Sequence, residues 1–139
     1  MKMYHNPVLL DDSVKGLNII PNGTYVDATY GGGGHSRVIL KKLGPKGRLV
    51  AFDQDSDAHK NKIIDSRLNL IESNFKFLNN HLNYLQISQI DGLLADFGIS
   101  SYQIDTKNRG FSIRFDYKLD MRMDQSQDMD AQFIINKYD

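Results

Sequence analysis

Residues 27–36 read DATYGGGGHS, and a run of four glycines loses a large amount of conformational entropy on folding. Bare backbone lets a ligand approach closely, and the first N–H groups of a following helix carry a partial positive charge. The run therefore indicates a ligand-binding turn, with a flexible turn as the alternative. A phosphate-binding P-loop is not indicated because no Lys-Ser/Thr pair follows. A dinucleotide G-x-G-x-x-G fits only loosely because position 36 is Ser.

Two aspartates add to the evidence for a ligand-binding turn. Asp27, Gly31 and Gly33 fit D-x-x-x-G-x-G, which resembles the motif of class I S-adenosylmethionine methyltransferases. Asp53 follows 26 residues beyond Asp27, near the end of the next predicted strand. A carboxylate at that place can accept hydrogen bonds from both ribose hydroxyls of an adenosine moiety. The alternative is a helix-capping or solvated acid, since other aspartates are close by.

An aromatic residue and a third acid come later in the chain. Phe75 follows the third predicted strand, where its ring can cover an adenine face, begin the core of the next helix, or both. Asp96 ends the fourth predicted strand in ADFG. A kinase is not indicated, because the other kinase motifs are missing from the sequence. At this place a carboxylate and a backbone carbonyl can orient an exocyclic amine for attack on a sulfonium methyl. Asp96 can alternatively hold the amino-acid end of the cofactor.

These residues lie between elements that alternate along the chain. Apolar runs predict four strands, and helical spacing of apolar residues predicts three helices between them. The strands are predicted at 24–28, 48–55, 68–73 and 90–98, and the helices at 35–44, 56–64 with Ser56 as N-cap, and 75–87. Such alternation is typical of a doubly wound α/β fold. The fourth run is typical of a strand that a parallel sheet buries on both faces.

The segments before and after the alternating strands and helices have other patterns. Residues 6–17 predict an outer helix, residues 99–125 a long functional loop, and residues 130–138 an unfinished helix. In the loop, cations alternate with acids, and charge alone favours a solvated loop that pairs with itself. Phe111 and Phe115 can alternatively stack on an unpaired base. The loop cations are Lys107, Arg109, Arg114, Lys118 and Arg122, and the acids are Asp105, Asp116, Asp120 and Asp124.

Five segments together resemble the N-terminal part of the MraW/RsmH family, the ribosomal RNA small-subunit cytosine-N4 methyltransferases. They are HNPVLLDDSVKGL, YVDATYGGGGHSR, GRLVAFDQD, DGLLADFGISSYQID and RGFSIRFDYKLDMRMD, and the last is the most specific. The resemblance covers nearly all of residues 5–125. It implies the Rossmann-like sheet of class I S-adenosylmethionine methyltransferases, within the α/β class that the alternation predicts.

The resemblance also implies a set of site residues. In that family the cofactor S-adenosylmethionine is held by a Gly-Gly-His, three residues that follow strands two, three and four, and a glutamine. These correspond here to Gly33, Gly34, His35, Asp53, Phe75, Asp96 and Gln103. The implied reaction is methyl transfer to the N4 amine of a cytidine, with Asp96 as the candidate catalytic residue. The implied partner is small-subunit ribosomal RNA or the small ribosomal subunit, which residues 105–124 would contact.

The resemblance sets expectations about domains as well. It implies a cofactor-binding core over 1–125 and the start of a truncated helical insertion over 126–139. Family members are about twice this length, so the sheet would be incomplete at its C-terminal side. The fourth strand would then be an unguarded edge through which the chain can self-associate. The alternative function is accordingly a truncated, catalytically weak cofactor-binding module.

The composition of the chain argues against several classes of protein. The 139 residues suffice for a core, and a formal net charge of zero points to no particular partner. Cysteine is absent and the four histidines lack ligand spacing, so no metal site is expected. The sequence contains no apolar run of about 20 residues and no signal-peptide pattern, so we expect a cytoplasmic protein without a membrane partner.

Overall fold

The computed structural model describes residue 7 and residues 9–138. These residues form two compact units, one that ends at Phe97 and one that begins at Gly98. The first unit carries a parallel sheet with helices on both faces. The second unit, in the part that the structure describes, carries short helices joined by irregular chain.

The sheet has four parallel strands in the order β3-β2-β1-β4. The strands are β1 (Thr24–Asp27), β2 (Arg48–Asp53), β3 (Leu68–Glu72) and β4 (Gly92–Leu94). Asp27 lies opposite Ala51 of β2 and Leu94 of β4, so the carboxyl ends of these three strands meet at one edge. This is the edge at which doubly wound sheets bind ligands. The predicted α/β fold is confirmed.

Four helices of the first unit connect the strands or flank them. They are α1 (Leu10–Gly16), α2 (Gly34–Lys42), α3 (Ser56–His59) and α4 (Leu78–Tyr84), and a 3₁₀ turn over Phe75–Phe77 precedes α4. Tyr25, Leu49 and Ala51 pack with residues of α1 and α2, whereas Val26 and Val50 pack with Leu82 of α4. Successive residues of a strand point to opposite faces, so the two apolar clusters cover the two sides of the sheet.

Two elements are less than half as long as the sequence predicted. The predicted helix over 56–64 is a single turn, and its N-cap is Asp55, whose carboxylate accepts a hydrogen bond from the Asp57 N–H at 3.0 Å. The prediction of Ser56 as the cap was wrong by one residue. The predicted strand over 90–98 is only three residues long. It ends at Leu94 because its partner β1 ends at Asp27.

The expectation that the fourth strand is buried on both faces was also wrong. Leu93 is 46% exposed, whereas the neighbouring Leu94 is buried. The apolar cluster that contains Leu82 covers Val26 and Val50 but does not include Leu93. Among the described strands, β4 pairs with β1 alone and forms an edge of the sheet.

The second unit contains more regular structure than the predicted loop over 99–125. Helix α5 (Ser101–Asp105) begins with a capping box, in which Ser100 Oγ accepts from the Gln103 N–H and Gln103 Oε1 accepts from the Ser100 N–H. The S-x-x-Q spacing is a known helix-start signal, and it was overlooked in a stretch without apolar periodicity. A 3₁₀ turn follows over Lys107–Arg109. Helix α6 (Ala131–Lys137), capped by Asp130, confirms the helix predicted near the end.

One buried carboxylate joins the end of β1 to the start of α2. Asp27 has no exposed surface, and its Oδ1 accepts a hydrogen bond from the Thr29 N–H at 3.1 Å. Its Oδ2 accepts one from Ser36 Oγ at 2.7 Å. Burial raises the pKa of Asp27, while the hydrogen bond from Ser36 opposes that rise. The two hydrogen bonds fix both ends of the glycine turn to the strand.

Replacing Asp27 tests the contribution of these two hydrogen bonds to stability. Asp27→Ala leaves two donors unpaired, and we expect it to lower the free energy of unfolding by about 2–4 kcal/mol. Urea unfolding measures the loss, and the exposed acid Asp128 supplies a control, Asp128→Ala, expected to change stability by less than about 0.5 kcal/mol. An equal loss in both variants would contradict the role of Asp27.

The pH dependence of Asp27→Asn follows from the raised pKa. A carboxyl that binds its proton more tightly in the folded chain stabilises the fold below its ordinary pKa of about 3.9. That contribution is lost as pH rises through the folded-state pKa. The stability of the native chain relative to Asp27→Asn should therefore fall between acidic and neutral pH. A relative stability that rises with pH would contradict the raised pKa.

Candidate functional site

The glycine turn between β1 and α2 is held in a conformation that requires glycine at two positions. Gly31 has φ +51° and Gly33 has φ +73°, a region that side chains strongly disfavour. Gly33 is the N-cap of α2 and supplies no capping side chain. The first N–H groups of α2 therefore lack a side-chain cap, as an anion- or ligand-binding helix start requires.

Tyr30 packs under the turn and restricts position 33 further. A Cβ at Gly33 would lie 2.7 Å from the Tyr30 hydroxyl oxygen. That hydroxyl donates to the Asn61 carbonyl at 3.0 Å and accepts from the Ile63 N–H at 3.1 Å. Since Tyr30 is buried and held at both hydrogen-bonding positions, it cannot move aside without losing these contacts.

Asp53 reaches the glycine turn from the end of β2. Its Oδ2 accepts a hydrogen bond from the Gly31 N–H at 2.7 Å, and its Oδ1 accepts one from the Asp55 N–H at 2.9 Å. Burial raises the pKa of Asp53, and the two backbone hydrogen bonds oppose that rise. Each carboxylate oxygen has two lone pairs, so both oxygens can accept a further hydrogen bond.

Asp96 lies beside the same turn on its other side. The Asp96 N–H donates to Thr29 Oγ1 at 2.8 Å, which ties the segment after β4 to the segment after β1. The residue is exposed to solvent. Asp53 and Asp96 therefore flank one turn at the carboxyl edge of the sheet. Sequence analysis did not single out Thr29, because a single threonine carries no positional signal.

Two phenylalanine rings contact one another next to the carboxyl edge. The centroids of Phe75 and Phe97 are 5.5 Å apart with the ring planes at 49°. Phe75 is 40% exposed, so it is not the first core residue of the following helix, and Phe97 is 73% exposed. The pair therefore presents exposed aromatic surface beside this edge. Sequence analysis assigned no role to Phe97, because its partner Phe75 lies 22 residues away in the chain.

His35 is the buried member of the predicted Gly-Gly-His. It lies in the first turn of α2 at 5% exposure, and its Nε2 has no hydrogen-bond partner among the described residues. A buried ring nitrogen without a partner is costly. Gly33 and Gly34 precede it directly, so backbone N–H groups and an imidazole lie together at the helix start.

Gln103 belongs to the second unit. It is buried, its Oε1 completes the capping box of α5, and its Nε2 donates to the Met123 sulfur at 3.2 Å. Its side-chain amide therefore contributes to the structure of that unit. The cofactor role that the family resemblance implied for Gln103 stays a prediction.

The charged loop of the second unit forms two ion pairs within itself and one with the N-cap of α6. Three of its cations each contact an aspartate at 2.6–2.7 Å. The pairs are Arg114–Asp105, Lys118–Asp130 and Arg122–Asp120. The Arg122 guanidinium lowers the pKa of Asp120. Such pairs are what charge alone predicted for this loop, and they leave less free positive charge for RNA than the composition suggested.

The fold and the site together define a Rossmann-like α/β domain with a candidate ligand site at the carboxyl edge of its sheet. The sequence matches the MraW methylase family over residues 2–139, and the chain belongs to that family. It is similar to the ribosomal RNA small subunit methyltransferase H of Christiangramia forsetii, with 57% identity over 136 residues. The proteins of the same name from Flavobacterium johnsoniae and Cytophaga hutchinsonii are 54% and 57% identical to it.

These alignments cover 98% of this chain but only 45–46% of each relative. The chain thus spans a little under half the length of the relatives it matches. Across the described residues, none of the helices has the length and apolar character needed to cross a membrane. The same residues contain no cluster of side chains suited to a metal ion.

The Thr29–Asp96 contact can be tested by itself. Thr29→Val removes the acceptor of the Asp96 N–H, and a hydrogen bond worth about 1 kcal/mol corresponds to roughly fivefold protection. We expect the Asp96 amide hydrogen to exchange about five times faster in Thr29→Val. Thr29→Ser keeps the hydroxyl and should restore slow exchange. Equal exchange in all three proteins would mean that the contact does not hold Asp96.

Proposed function

We propose that this chain forms the S-adenosylmethionine-binding part of an enzyme that methylates small-subunit ribosomal RNA. The observation that carries the proposal is the joining of two acids and a helix start around one glycine turn. The family and the names of the relatives support the same activity. The cytoplasm, where ribosomes are found, is the proposed location.

The residues around the turn suit such a cofactor. Asp53 would accept the ribose hydroxyls, and the exposed face of Phe75 would cover the adenine. Gly33, Gly34 and His35 would hold the methionine part, because the first N–H groups of α2 have no side-chain cap and His35 Nε2 has no partner in the part of the chain that the structure describes. The family resemblance alone adds Gln103 to the proposed set. The bound cofactor supplies a methyl group on a positively charged sulfur.

The proposed acceptor is the N4 amine of a cytidine. Its lone pair is delocalised into the ring, so the nitrogen needs acceptors on its two hydrogens to direct it at the methyl group. Asp96 is exposed at the carboxyl edge and would accept one of these hydrogen bonds. Catalysis would then rest on positioning and on preorganised charge. The base has to leave its stack to reach the site, at a cost of a few kcal/mol.

The alternative is a module of the same family that binds the cofactor but transfers methyl groups weakly. It shares the cofactor site of the first proposal and differs from it only in the methyl-transfer step. Calorimetry with S-adenosylmethionine and a radiolabelled methyl-transfer assay on small ribosomal subunits separate the two. Binding with transfer supports the enzyme, and binding without transfer supports the module.

The proposed contact of Asp53 with the ribose hydroxyls can be tested by substitution. Charge-assisted hydrogen bonds are worth about 1.5–3 kcal/mol, so Asp53→Ala should weaken S-adenosylmethionine binding by roughly ten- to hundredfold. Asp12→Ala, on the exposed surface of α1, is the control. Because Asp53 also holds Gly31, the same measurement is made with an analogue that lacks the ribose hydroxyls. Equal losses for cofactor and analogue would refute the ribose contact.

The raised pKa of Asp53 adds a pH dependence with a definite sign. The ionised carboxylate is the stronger acceptor, and burial lets it protonate at a higher pH than an ordinary aspartate. Cofactor affinity in the native chain should therefore fall as pH is lowered through that raised pKa. Asp53→Ala should lack this fall.

Asp96→Asn separates the two roles considered for Asp96. If the carboxylate orients the amine, the rate of methyl transfer should fall by about 10–100-fold, because one charge-assisted hydrogen bond is worth about 1.5–3 kcal/mol. The dissociation constant of S-adenosylmethionine should then change by less than about threefold. A large rise in that constant with a proportionate loss of rate would instead assign Asp96 to the amino-acid end of the cofactor.

A further inference from the structure

A dense positive segment lies at the end of the first unit's sheet away from the candidate site. Residues 41–48 read KKLGPKGR, with four cations and no acid in a chain of formal net charge zero. The cations are Lys41 and Lys42 at the end of α2, Lys46 in the following turn, and Arg48 at the start of β2. All four are exposed.

The backbone that carries these cations is held by three hydrogen bonds. The Gly44 N–H donates to the Pro21 carbonyl at 2.6 Å, and the Gly47 N–H donates to the Gly44 carbonyl at 3.0 Å. The Arg48 N–H donates to the Gly23 carbonyl at 2.9 Å. The cations are therefore presented by a fixed turn, which limits the entropy lost when a ligand binds.

The four cations have no ion-pair partner among the described residues, in contrast to the three paired cations of the second unit's loop. Arg67 nearby is engaged differently, since it donates to Asp65 at 2.6 Å and to the Leu43 carbonyl at 2.6 Å. The hydrogen bonds from Arg67 lower the pKa of Asp65 to about 2. The Arg67–Asp65 pair is thus neutral, and the net positive charge comes from residues 41–48.

An open groove of about 590 Å³ runs beside this segment, which is enough room for a nucleotide. Its charged wall includes Lys46, Arg48 and Arg67, and Ser66 and Asn69 add hydrogen-bonding groups. Leu85 and Ile87 add apolar surface. Phosphate, sugar hydroxyl and base each have a complementary surface in the groove.

We propose that this groove binds the sugar-phosphate backbone of the substrate RNA at a point remote from the modified base. The proposal rests on the proposed function, which supplies an RNA partner. Arg48 begins β2 and Asp53 ends it. At about 3.3 Å per residue the groove and the candidate site lie roughly 17 Å apart along the strand. A backbone contact at that distance positions the substrate without reading its sequence.

The test removes two charges from the groove and two from elsewhere. The double variant Lys46→Gln/Arg48→Gln is compared with Lys15→Gln/Lys62→Gln, which removes two exposed cations outside the groove. The probe is protein-free small-subunit ribosomal RNA, titrated over a range of salt concentrations. Each lost phosphate contact lowers the slope of log K against log salt by about 0.7–0.9. For the groove variant we expect the slope of log K against log salt to be smaller in magnitude by about 1.4–1.8. Its affinity for the RNA near 0.1 M salt should be at least tenfold lower than that of the native chain.

Affinity for S-adenosylmethionine should stay unchanged in both double variants, which also reports that they are folded. A native slope in the groove variant overturns the inference, as does an equal loss in the control variant. Weaker binding to intact small subunits with unchanged binding to protein-free RNA also overturns it, because the groove would then contact a ribosomal protein. If the native chain binds no RNA, the proposed function itself fails and the inference fails with it.

Discussion

The ordered turn at the carboxyl edge depends on a carboxylate that has been taken out of water. Asp27 sits in the interior of the sheet with no exposed surface, and an unpaired charge there would cost several kcal/mol. Hydrogen bonds from the Thr29 N–H and Ser36 Oγ compensate part of that cost. They do so only if the chain leaves β1, makes its turn and enters α2 along one path. The positions of Gly31, Gly33 and the start of α2 follow from that requirement.

The neighbouring strands use the same turn as a point of attachment. Asp53 at the end of β2 binds the Gly31 N–H, and the segment after β4 binds Thr29 through the Asp96 N–H. Backbone N–H groups and one hydroxyl thus bring Asp53 of β2 and Asp96, two residues after β4, to the same turn. Each of these hydrogen bonds joins a backbone N–H to a side-chain oxygen, so small changes in the path of the turn would displace both acids.

Much of the first unit could be predicted because its signals are local. Apolar runs such as those of β1 and β2 and the Gly44-Pro45 stop depend on a few adjacent residues. The length of β4 could not be predicted, because it depends on where β1 ends across the sheet. Asp53 could be proposed from its place after a strand, whereas Thr29 and Phe97 gain their roles from partners 67 and 22 residues away in sequence. The pairing of the loop cations followed from charge, although the particular partners did not.

The contact between Tyr30 and Gly33 has a consequence for how this sequence can vary. A side chain at position 33 would occupy the space of the Tyr30 hydroxyl, which is itself held by the chain at Asn61 and Ile63. A side chain at position 33 is therefore excluded twice, by the positive φ and by the Tyr30 hydroxyl, so a smaller residue at position 30 would not by itself admit one. The same hydroxyl also fixes the backbone at residues 61–63. The conformation of this surface loop is therefore restrained by the residue that packs under the glycine turn.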